Sequence, residues 1–338
     1  MITRFLPLFI SLTFGQSISL VTLDSRVESS FRGLSVVNQK VVWVSGTGGT
    51  VLRTIDGGKN WENISVPNME KIDFRDVEGF NKNIAIVMGI ASPARFYKTT
   101  DGGQNWKLVH FDDREGVFFD GMSFWNKNDG IAFSDPVDGQ HLLIRTTDGG
   151  DTWHEIPKEG FPHKLNPEFG FAASGTGIPV QGRKTVWLGM GGVKSRVFKS
   201  EDGGMNWSVA ETPVVHGGQS TGIYSVAFKN KRVGISVGGD YTNQSIKNTM
   251  AYTNDGGATW QLPEKQTHQY RECVAHYRGK IFFAVGPSGF DMTTDNGKNW
   301  HPHYWEVNNL TAVAFAKRSN VGFAVGKGGQ IYKIKVNH

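Results

Sequence analysis

Cysteine is nearly missing from the chain, which has only Cys273 among 338 residues. A single thiol excludes an internal disulfide and a metal site built from paired cysteines. Charge of one sign is also scarce, because 36 Lys and Arg are set against 31 Asp and Glu without a basic block. This balance does not indicate a nucleic-acid partner. The HExxH, GxSxG and P-loop lysine patterns do not occur in the sequence, which therefore predicts no metal and no cofactor.

A long hydrophobic run is lacking too, although the first fifteen residues differ from the rest. Arg4 precedes an apolar run at residues 5–14, and Thr13 and Gly15 have the spacing that signal peptidase accepts. The run is shorter than the roughly 20 residues of a transmembrane helix. We predict a signal peptide at 1–15, a single domain at 16–338, and an exported protein, periplasmic or secreted, without a transmembrane segment. The alternative is a short hydrophobic first strand.

Glycine is the residue that the chain has in excess. It occupies 43 of 338 positions, nearly twice the roughly 7 % of average proteins. It is accompanied by 10 Trp and 22 Phe rather than by tracts of proline or serine. This composition predicts a turn-rich protein with an aromatic core.

One pattern, Ser/Thr-x-Asp-x-Gly-x-x-Trp, occurs six times in the sequence. Each copy has the chemistry of a tight hairpin turn, in which Asp accepts backbone hydrogen bonds, Gly adopts positive φ and Trp packs back on the sheet. Six aspartates spread around a ring cannot converge on one substrate, so we interpret them as structural. They are Asp56, Asp101, Asp148, Asp202, Asp255 and Asp295.

The intervals between the copies, 40 to 54 residues, suit a four-stranded propeller blade. After the last copy the chain supplies three more β-like runs, at 311–315, 321–325 and 330–335. A run at 18–23 can add the fourth strand, which would remove an exposed sheet edge. We predict an all-β, seven-bladed propeller of four-stranded blades closed by an N-terminal strand. A six-bladed ring with a C-terminal extension is the competing arrangement.

Positions that vary between blades are candidates for a site, because repeated positions serve the blade itself. Aligning the start of each innermost strand places Arg32, Arg75 and Arg271 at comparable points, on the face with long irregular loops. With Asp120, Tyr224 and Glu272 they form the predicted partner-binding set. The arginines suit a carboxylate, a phosphate or an acidic peptide. The alternative is that each arginine pairs with a local acid.

The repeat resembles the BNR or Asp-box repeat of sialidases, sorting receptors and the photosystem II stability/assembly factor-like propellers. The last group is the most similar, through the six turns, Ser30-Phe31-Arg32-Gly33 and the closing Gly326-Lys327-Gly328-Gly329-Gln330-Ile331-Tyr332. The resemblance implies a seven-bladed, non-catalytic scaffold that binds a protein or acidic peptide, such as a membrane-complex subunit, through arginines on one face. Arg32, Arg75 and Arg271 are the positions that match this role, and we expect a monomer.

A secreted sialidase-like glycoside hydrolase is the alternative function. In that class three arginines clamp a carboxylate, a tyrosine assisted by a glutamate is the nucleophile, and an aspartate is the acid/base. The three arginines with Tyr224, Glu272 and Asp120 supply these residue types. However, Gly33-Leu34 follows Arg32 where sialidases have Ile-Pro.

Overall fold

The computed structural model describes residues 8–11, 17–267, 269–303 and 307–337. Within this part of the chain the structure is almost wholly antiparallel strand, with one 3-10 turn at Lys158–Gly160. None of the described segments is a helix of the length and apolarity needed to cross a bilayer. Apart from residues 8–11, the predicted signal peptide lies outside the described residues, and its cleavage remains a prediction.

The first half of the chain forms two opening strands and three four-stranded sheets. These strands are β1 (Leu8–Ser11) and β2 (Ser17–Leu23); β3 (Phe31–Val36), β4 (Val42–Gly46), β5 (Val51–Thr54) and β6 (Glu62–Asn63); β7 (Phe74–Gly79), β8 (Ala85–Gly89), β9 (Ala94–Thr99) and β10 (Lys107–Asp112); and β11 (Phe119–Phe124), β12 (Gly130–Val137), β13 (Gln140–Thr146) and β14 (His154–Glu155).

The second half forms an eight-stranded sheet, another four-stranded sheet and the last three strands. The eight-stranded sheet contains β15 (Glu168–Phe169), β16 (Val180–Gln181), β17 (Thr185–Gly192), β18 (Arg196–Ser200), β19 (Ser208–Glu211), β20 (Thr221–Phe228), β21 (Gly234–Asp240) and β22 (Met250–Thr253). It is followed by β23 (Cys273–Arg278), β24 (Ile281–Gly286), β25 (Gly289–Thr293) and β26 (His301–His303), and then by β27 (Leu310–Phe315), β28 (Val321–Gly326) and β29 (Ile331–Asn337).

The two ends of the chain meet in one sheet, in the order β1-β2-β29-β28-β27. Strand β2 runs antiparallel to β29 along its whole length, with Ile18 opposite Val336 and Leu20 opposite Ile334. Ile18 is buried in the core, whereas Val21 in the same strand is 37 % exposed. The sheet also touches the first one, because the Thr311 hydroxyl donates to the Phe31 carbonyl at 2.7 Å. The predicted closure by an N-terminal strand is confirmed.

The sheets form a β-propeller, as predicted. Innermost strands of successive sheets contact one another, including β3 with β7, β20 with β23, and β27 with β3. The eight-stranded sheet joins its two halves, β15–β19 and β20–β22, through a single residue pair, Gly191 with Gly222. Dividing the sheet at that pair yields seven groups of strands, and seven blades remains the number that we predict.

Each of the six repeated turns has the same hydrogen-bond pattern, shown here for the first. Asp56 Oδ1 accepts from the Thr54 hydroxyl at 2.9 Å and from the Asn60 backbone N–H at 3.0 Å. The Thr54 hydroxyl oxygen accepts from Gly58 N–H at 2.9 Å, which requires φ of +87° at Gly58. The tryptophans of the pattern pack between sheets, and Trp106 donates through Nε1 to the Ile64 carbonyl. The turns therefore lie at the junctions between sheets.

Candidate functional site

A pocket of about 340 Å³ lies where the innermost strands begin, at the centre of the propeller. Its wall takes residues from several sheets and from the connections beside them. Four residues of the predicted set line it, namely Arg32, Arg75, Tyr224 and Glu272. The wall also contains Phe171, Ala172, Ala173, Tyr241, Tyr270 and Lys327. We call this the central pocket.

A β-bulge places side chains at this point in most sheets. The ladders of β3, β7, β11, β20 and β27 each carry one extra residue at the same position, opposite the end of the next strand. Such a residue interrupts the ladder and re-aims its side chain. The residues concerned are Arg32, Arg75, Asp120, Tyr224 and Thr311.

The register of β23 corrects the predicted alignment of the sixth innermost strand. Glu272 N–H donates to the Val285 carbonyl, and the next residue, Cys273, is the one that pairs with Val285. Gly33 pairs with Ser45 in the same way, so Glu272 occupies the place of Arg32. Arg271 therefore corresponds to the buried Phe31 rather than to Arg32.

Arg271 accordingly does not line the central pocket. It is 2 % exposed, and its Nε lies 2.6 Å from Asp291 Oδ2. Its Nη1 donates to the Ser288 hydroxyl and to the Tyr270 carbonyl. All of these contacts are within one blade, which makes Arg271 a structural residue.

Arg32 and Glu272 form an ion pair across the pocket. Arg32 Nη1 lies 2.6 Å from Glu272 Oε2 and 3.4 Å from the Ala173 carbonyl oxygen. Burial raises the pKa of the Glu272 carboxyl above its ordinary value, while Arg32, Lys327 and Arg75 oppose that rise. Glu272 is thus a carboxylate surrounded by three cations.

Arg75 and Lys327 add two further cations to the pocket, of which Arg75 is paired with an acid outside it. Arg75 Nε lies 2.9 Å from Asp73 Oδ2, its Nη1 donates to the Ala172 carbonyl, and its side chain is 29 % exposed. Lys327 is exposed and makes no ion pair with the described residues. The residues lining the central pocket include three cations and one acid. The pocket is therefore suited to a group of negative charge.

Aromatic rings form another wall of the pocket. The rings of Phe171 and Tyr224 stack at 3.8 Å, and Tyr270 meets Tyr224 edge-on at 4.8 Å. The Tyr224 hydroxyl donates to the Ser220 carbonyl at 2.8 Å, and burial raises the pKa of Tyr224 well above its usual range. Tyr241 is 57 % exposed at the edge. Flat apolar faces beside cations suit a peptide with acidic and apolar side chains.

Asp120 lies outside the central pocket, although the nearby residues Arg75 and Ala172 line it. It is 1 % exposed, and burial first and the nearby Asp135 carboxyl second raise its pKa well above the ordinary value. Asp135 accepts from the Gly170 N–H at 2.9 Å. Asp135 therefore holds the segment that carries Ala172 and Ala173.

The sialidase-like set is only partly assembled. Arg32, Arg75, Tyr224 and Glu272 meet in the pocket, but the third arginine and the acid, Asp120, are buried elsewhere. Arg196, the first residue of β18, is buried and forms two contacts with Glu168, at 2.6 and 2.5 Å. The described residues therefore do not form a three-arginine clamp.

Sequence reasoning missed Lys327, Tyr270 and Phe171 as pocket residues. Lys327 belongs to the closing Gly-rich turn, whose sequence indicates a family resemblance but no binding role. Tyr270 directly precedes Arg271, and it was not recognised as a pocket residue because the predicted alignment of this strand is wrong by one residue. Phe171 lies in the fourth repeat, whose irregular sequence aligns poorly with the other innermost strands.

Comparisons with known proteins agree with this architecture. Residues 16–116 match the family described as photosynthesis system II assembly factor YCF48. A structure of YCF48 bound to D1 peptide aligns at 16% identity with a TM-score of 0.66, covering 96% of this chain and 99% of that one. YCF48 from Cyanidioschyzon merolae aligns at 20% identity with a TM-score of 0.64, covering 94% and 98%.

The same fold extends beyond that family. The Pan2 WD40 domain of Neurospora crassa aligns at 12% identity with a TM-score of 0.63, covering 91% of this chain and 89% of that one. No curated protein matches the sequence. The predicted resemblance is confirmed: this chain is a β-propeller similar to the photosystem II assembly factor YCF48, in sequence over residues 16–116 and in fold over nearly its whole length.

Proposed function

We propose that the chain is an exported, non-catalytic scaffold that binds an acidic peptide segment of a partner protein in the central pocket. The observation that carries the proposal is the meeting of Arg32, Arg75 and Lys327, from three different sheets, around the single carboxylate of Glu272. A peptide carboxylate can accept hydrogen bonds from the same guanidinium groups. Phe171, which is half-buried and stacks on Tyr224, then provides apolar surface for the rest of the peptide.

The similar fold of YCF48, which has been solved with a D1 peptide, supports a peptide as the ligand class. The size of the pocket, about 340 Å³, lies near the lower end of the roughly 300–1,000 Å³ of small-ligand sites. It therefore accommodates a few side chains and not a folded domain. The partner is recognised by an exposed acidic segment, such as a loop or a chain end of a membrane-complex subunit.

A fluorescent peptide rich in Asp and Phe tests the site by anisotropy. We expect saturable binding by wild-type protein that weakens with salt, because the contacts are between charges. Arg32→Gln with Arg75→Gln should weaken binding at least about tenfold. The matched control is Arg183→Gln with Arg232→Gln, which removes the same charge from exposed positions in the β16–β17 and β20–β21 connections. Equal affinity in both double variants would refute the site.

Export is tested separately by expressing the full chain in a bacterium with a periplasm. The mass of the periplasmic protein should correspond to a chain that starts at Gln16 or Ser17. A protein that keeps residues 1–15 and stays in the cytoplasm would contradict the signal peptide. Affinity capture from the native periplasm, with wild type and the Arg32/Arg75 double variant compared, would then identify the partner.

A further inference from the structure

A second and larger pocket, of about 480 Å³, lies at the rim of the propeller. One wall is formed by Gly139 of the β12–β13 turn and by Gln140 and His141 at the start of β13. The other wall is the long segment 157–168, which carries Phe161 and three basic side chains. The three are Lys158, His163 and Lys164. We call it the rim pocket. None of the residues used for the central pocket lines it.

The long segment that forms the rim pocket is held by buried hydrogen bonds. Glu168 forms an ion pair with the Arg196 guanidinium and accepts a hydrogen bond from the Leu165 N–H at 3.2 Å. Arg196 Nη2 also donates to the His163 carbonyl at 3.2 Å. The Gly160 carbonyl accepts from Trp207 N–H at 2.9 Å. These contacts give the backbone of the segment a defined shape, so the positions that carry its basic side chains are fixed.

His141, which also lines the rim pocket, has one ring nitrogen without a hydrogen-bond partner among the described residues. Its side chain is 3 % exposed and its Nε2 lies 3.2 Å from Glu168 Oε2. Because Arg196 neutralises Glu168, that carboxylate adds little negative charge to the pocket. His141 Nδ1 is buried and makes no hydrogen bond with the described residues. Buried polar atoms in native proteins almost always have a partner, which can be a ligand or a water molecule.

The remaining wall is basic and aromatic. Lys158, His163 and Lys164 face one exposed acid among the lining residues, Glu159. Burial raises the pKa of the nearby Asp135 to about 6, and the positive charge of Lys164 opposes that rise. Phe161 stacks on Phe198 with ring centroids 4.8 Å apart and remains half-buried. The pocket thus combines cations with one apolar face.

We propose that the rim pocket binds a small free oxyanion, a carboxylate or a phosphate on a low-molecular-weight molecule. Lys158, His163 and Lys164 contact its negative group, and Phe161 packs against its apolar part. This site is separate from the central pocket and does not depend on peptide binding there.

Titration with inorganic phosphate and with acetate tests the proposal, with chloride at equal ionic strength as the blank. The probe is the NMR signal of isotopically labelled histidine rings, with His163 assigned from His163→Gln. We expect saturable shifts at His163 for at least one anion, and the anion that saturates at lower concentration identifies the preferred class. Lys158→Gln with Lys164→Gln should raise the dissociation constant about tenfold, because the double variant removes two cations that face the anion.

The control is Lys107→Gln with Lys335→Gln, which removes two exposed lysines outside the rim pocket and should leave the dissociation constant unchanged. Shifts that rise linearly without saturation, or equal affinity in both double variants, would overturn the proposal. If Lys158→Gln with Lys164→Gln lowers the urea midpoint, Lys158→Gln alone, at an exposed side chain, provides the same comparison. A central pocket that fails to bind peptide would leave these results unaffected.

Discussion

Arg32 Nη1 and Glu272 Oε2 lie 2.6 Å apart, although 240 residues separate them in the chain. The pair connects the first and sixth innermost strands across the central pocket. Since the same guanidinium is the proposed contact for an acidic peptide, Glu272 competes with the peptide for Arg32. We therefore expect the pair to affect the strength of peptide binding.

Glu272→Gln should strengthen binding of the acidic peptide about fivefold, because it removes the charge that competes for Arg32. Anisotropy at pH 7 measures the effect, and Glu211→Gln, at an exposed acid far from the pocket, is the control. Burial raises the Glu272 pKa, so wild-type affinity should also rise as the pH falls toward 5, and the variant should show a flatter profile. Weaker binding by Glu272→Gln would mean that Glu272 contacts the partner itself.

Arg271→Gln should destabilise the protein by about 3–5 kcal/mol, because it leaves the Asp291 carboxylate buried without its cation. Arg75→Gln removes a side chain that is 29 % exposed and should cost less than about 1 kcal/mol. Urea unfolding compares the two. Equal midpoints would show that Arg271 does not stabilise the sixth blade.

Ile18→Ala should cost about 2–4 kcal/mol, because Ile18 is 2 % exposed in the strand that closes the ring. Val21→Ala, in the same strand but 37 % exposed, should cost less than about 1 kcal/mol. Urea unfolding again provides the measurement. If both variants have the same urea midpoint as wild type, β2 does not contribute to the cooperative core.

Asp56→Asn should lower the free energy of unfolding by about 1 kcal/mol at pH 7, because the amide cannot accept all the hydrogen bonds of the carboxylate. Hydrogen bonds from the Asn60 backbone first, and from the Asn60 and Thr54 side chains, lower the Asp56 pKa to about 2. A lowered pKa stabilises the fold above about pH 4, and the contribution is lost as the pH falls through 2. The difference between variant and wild type should therefore shrink in acid.

The exposed Asp113→Asn serves as the control for this turn, since Asp113 forms no ion pair with the described residues. Its unfolding midpoint should follow that of wild type from pH 7 to pH 2. A constant difference between Asp56→Asn and wild type across this range would show that the Asp56 charge has no role.

Glu78→Gln should stabilise the protein at pH 8 and have little effect at pH 4. Burial and then the Asp76 charge raise the Glu78 pKa to about 8, and burial raises that of Asp76 to about 7. A raised pKa stabilises the fold below about pH 4.5, and this contribution is lost as the pH rises through 8. Because Glu78 is only half-buried, water screens part of the effect.

Urea midpoints measured between pH 4 and 8 check this. Wild type should lose stability toward pH 8 more steeply than Glu78→Gln, and the exposed Glu115→Gln should follow wild type. Parallel profiles for all three proteins would mean that Glu78 titrates normally.

The fold could be predicted because its main signals are local. The repeated turn needs only eight neighbouring residues, with Thr54 and Asp56 bonding within the turn and Gly58 at positive φ. The interval between copies then indicates a four-stranded unit. Even the closure by β2 followed from counting strands, since the last unit lacked one.

The site could be predicted only in part, because a β-bulge shifts register by one residue. The bulge residue of each innermost strand reaches the centre, so an alignment that is wrong by one position exchanges a pocket residue for a core residue. This is why Glu272 and not Arg271 meets Arg32.

The sequence by itself thus determined the repeated turns and the four-stranded units, since these depend on short-range hydrogen bonds and on the number of strands between copies. Only the tertiary structure decided which cations stay solvent-accessible. Lys327, Arg32 and Arg75 come together by the closing of a ring, and Arg196 and Arg271 are neutralised by acids that the same packing brings beside them.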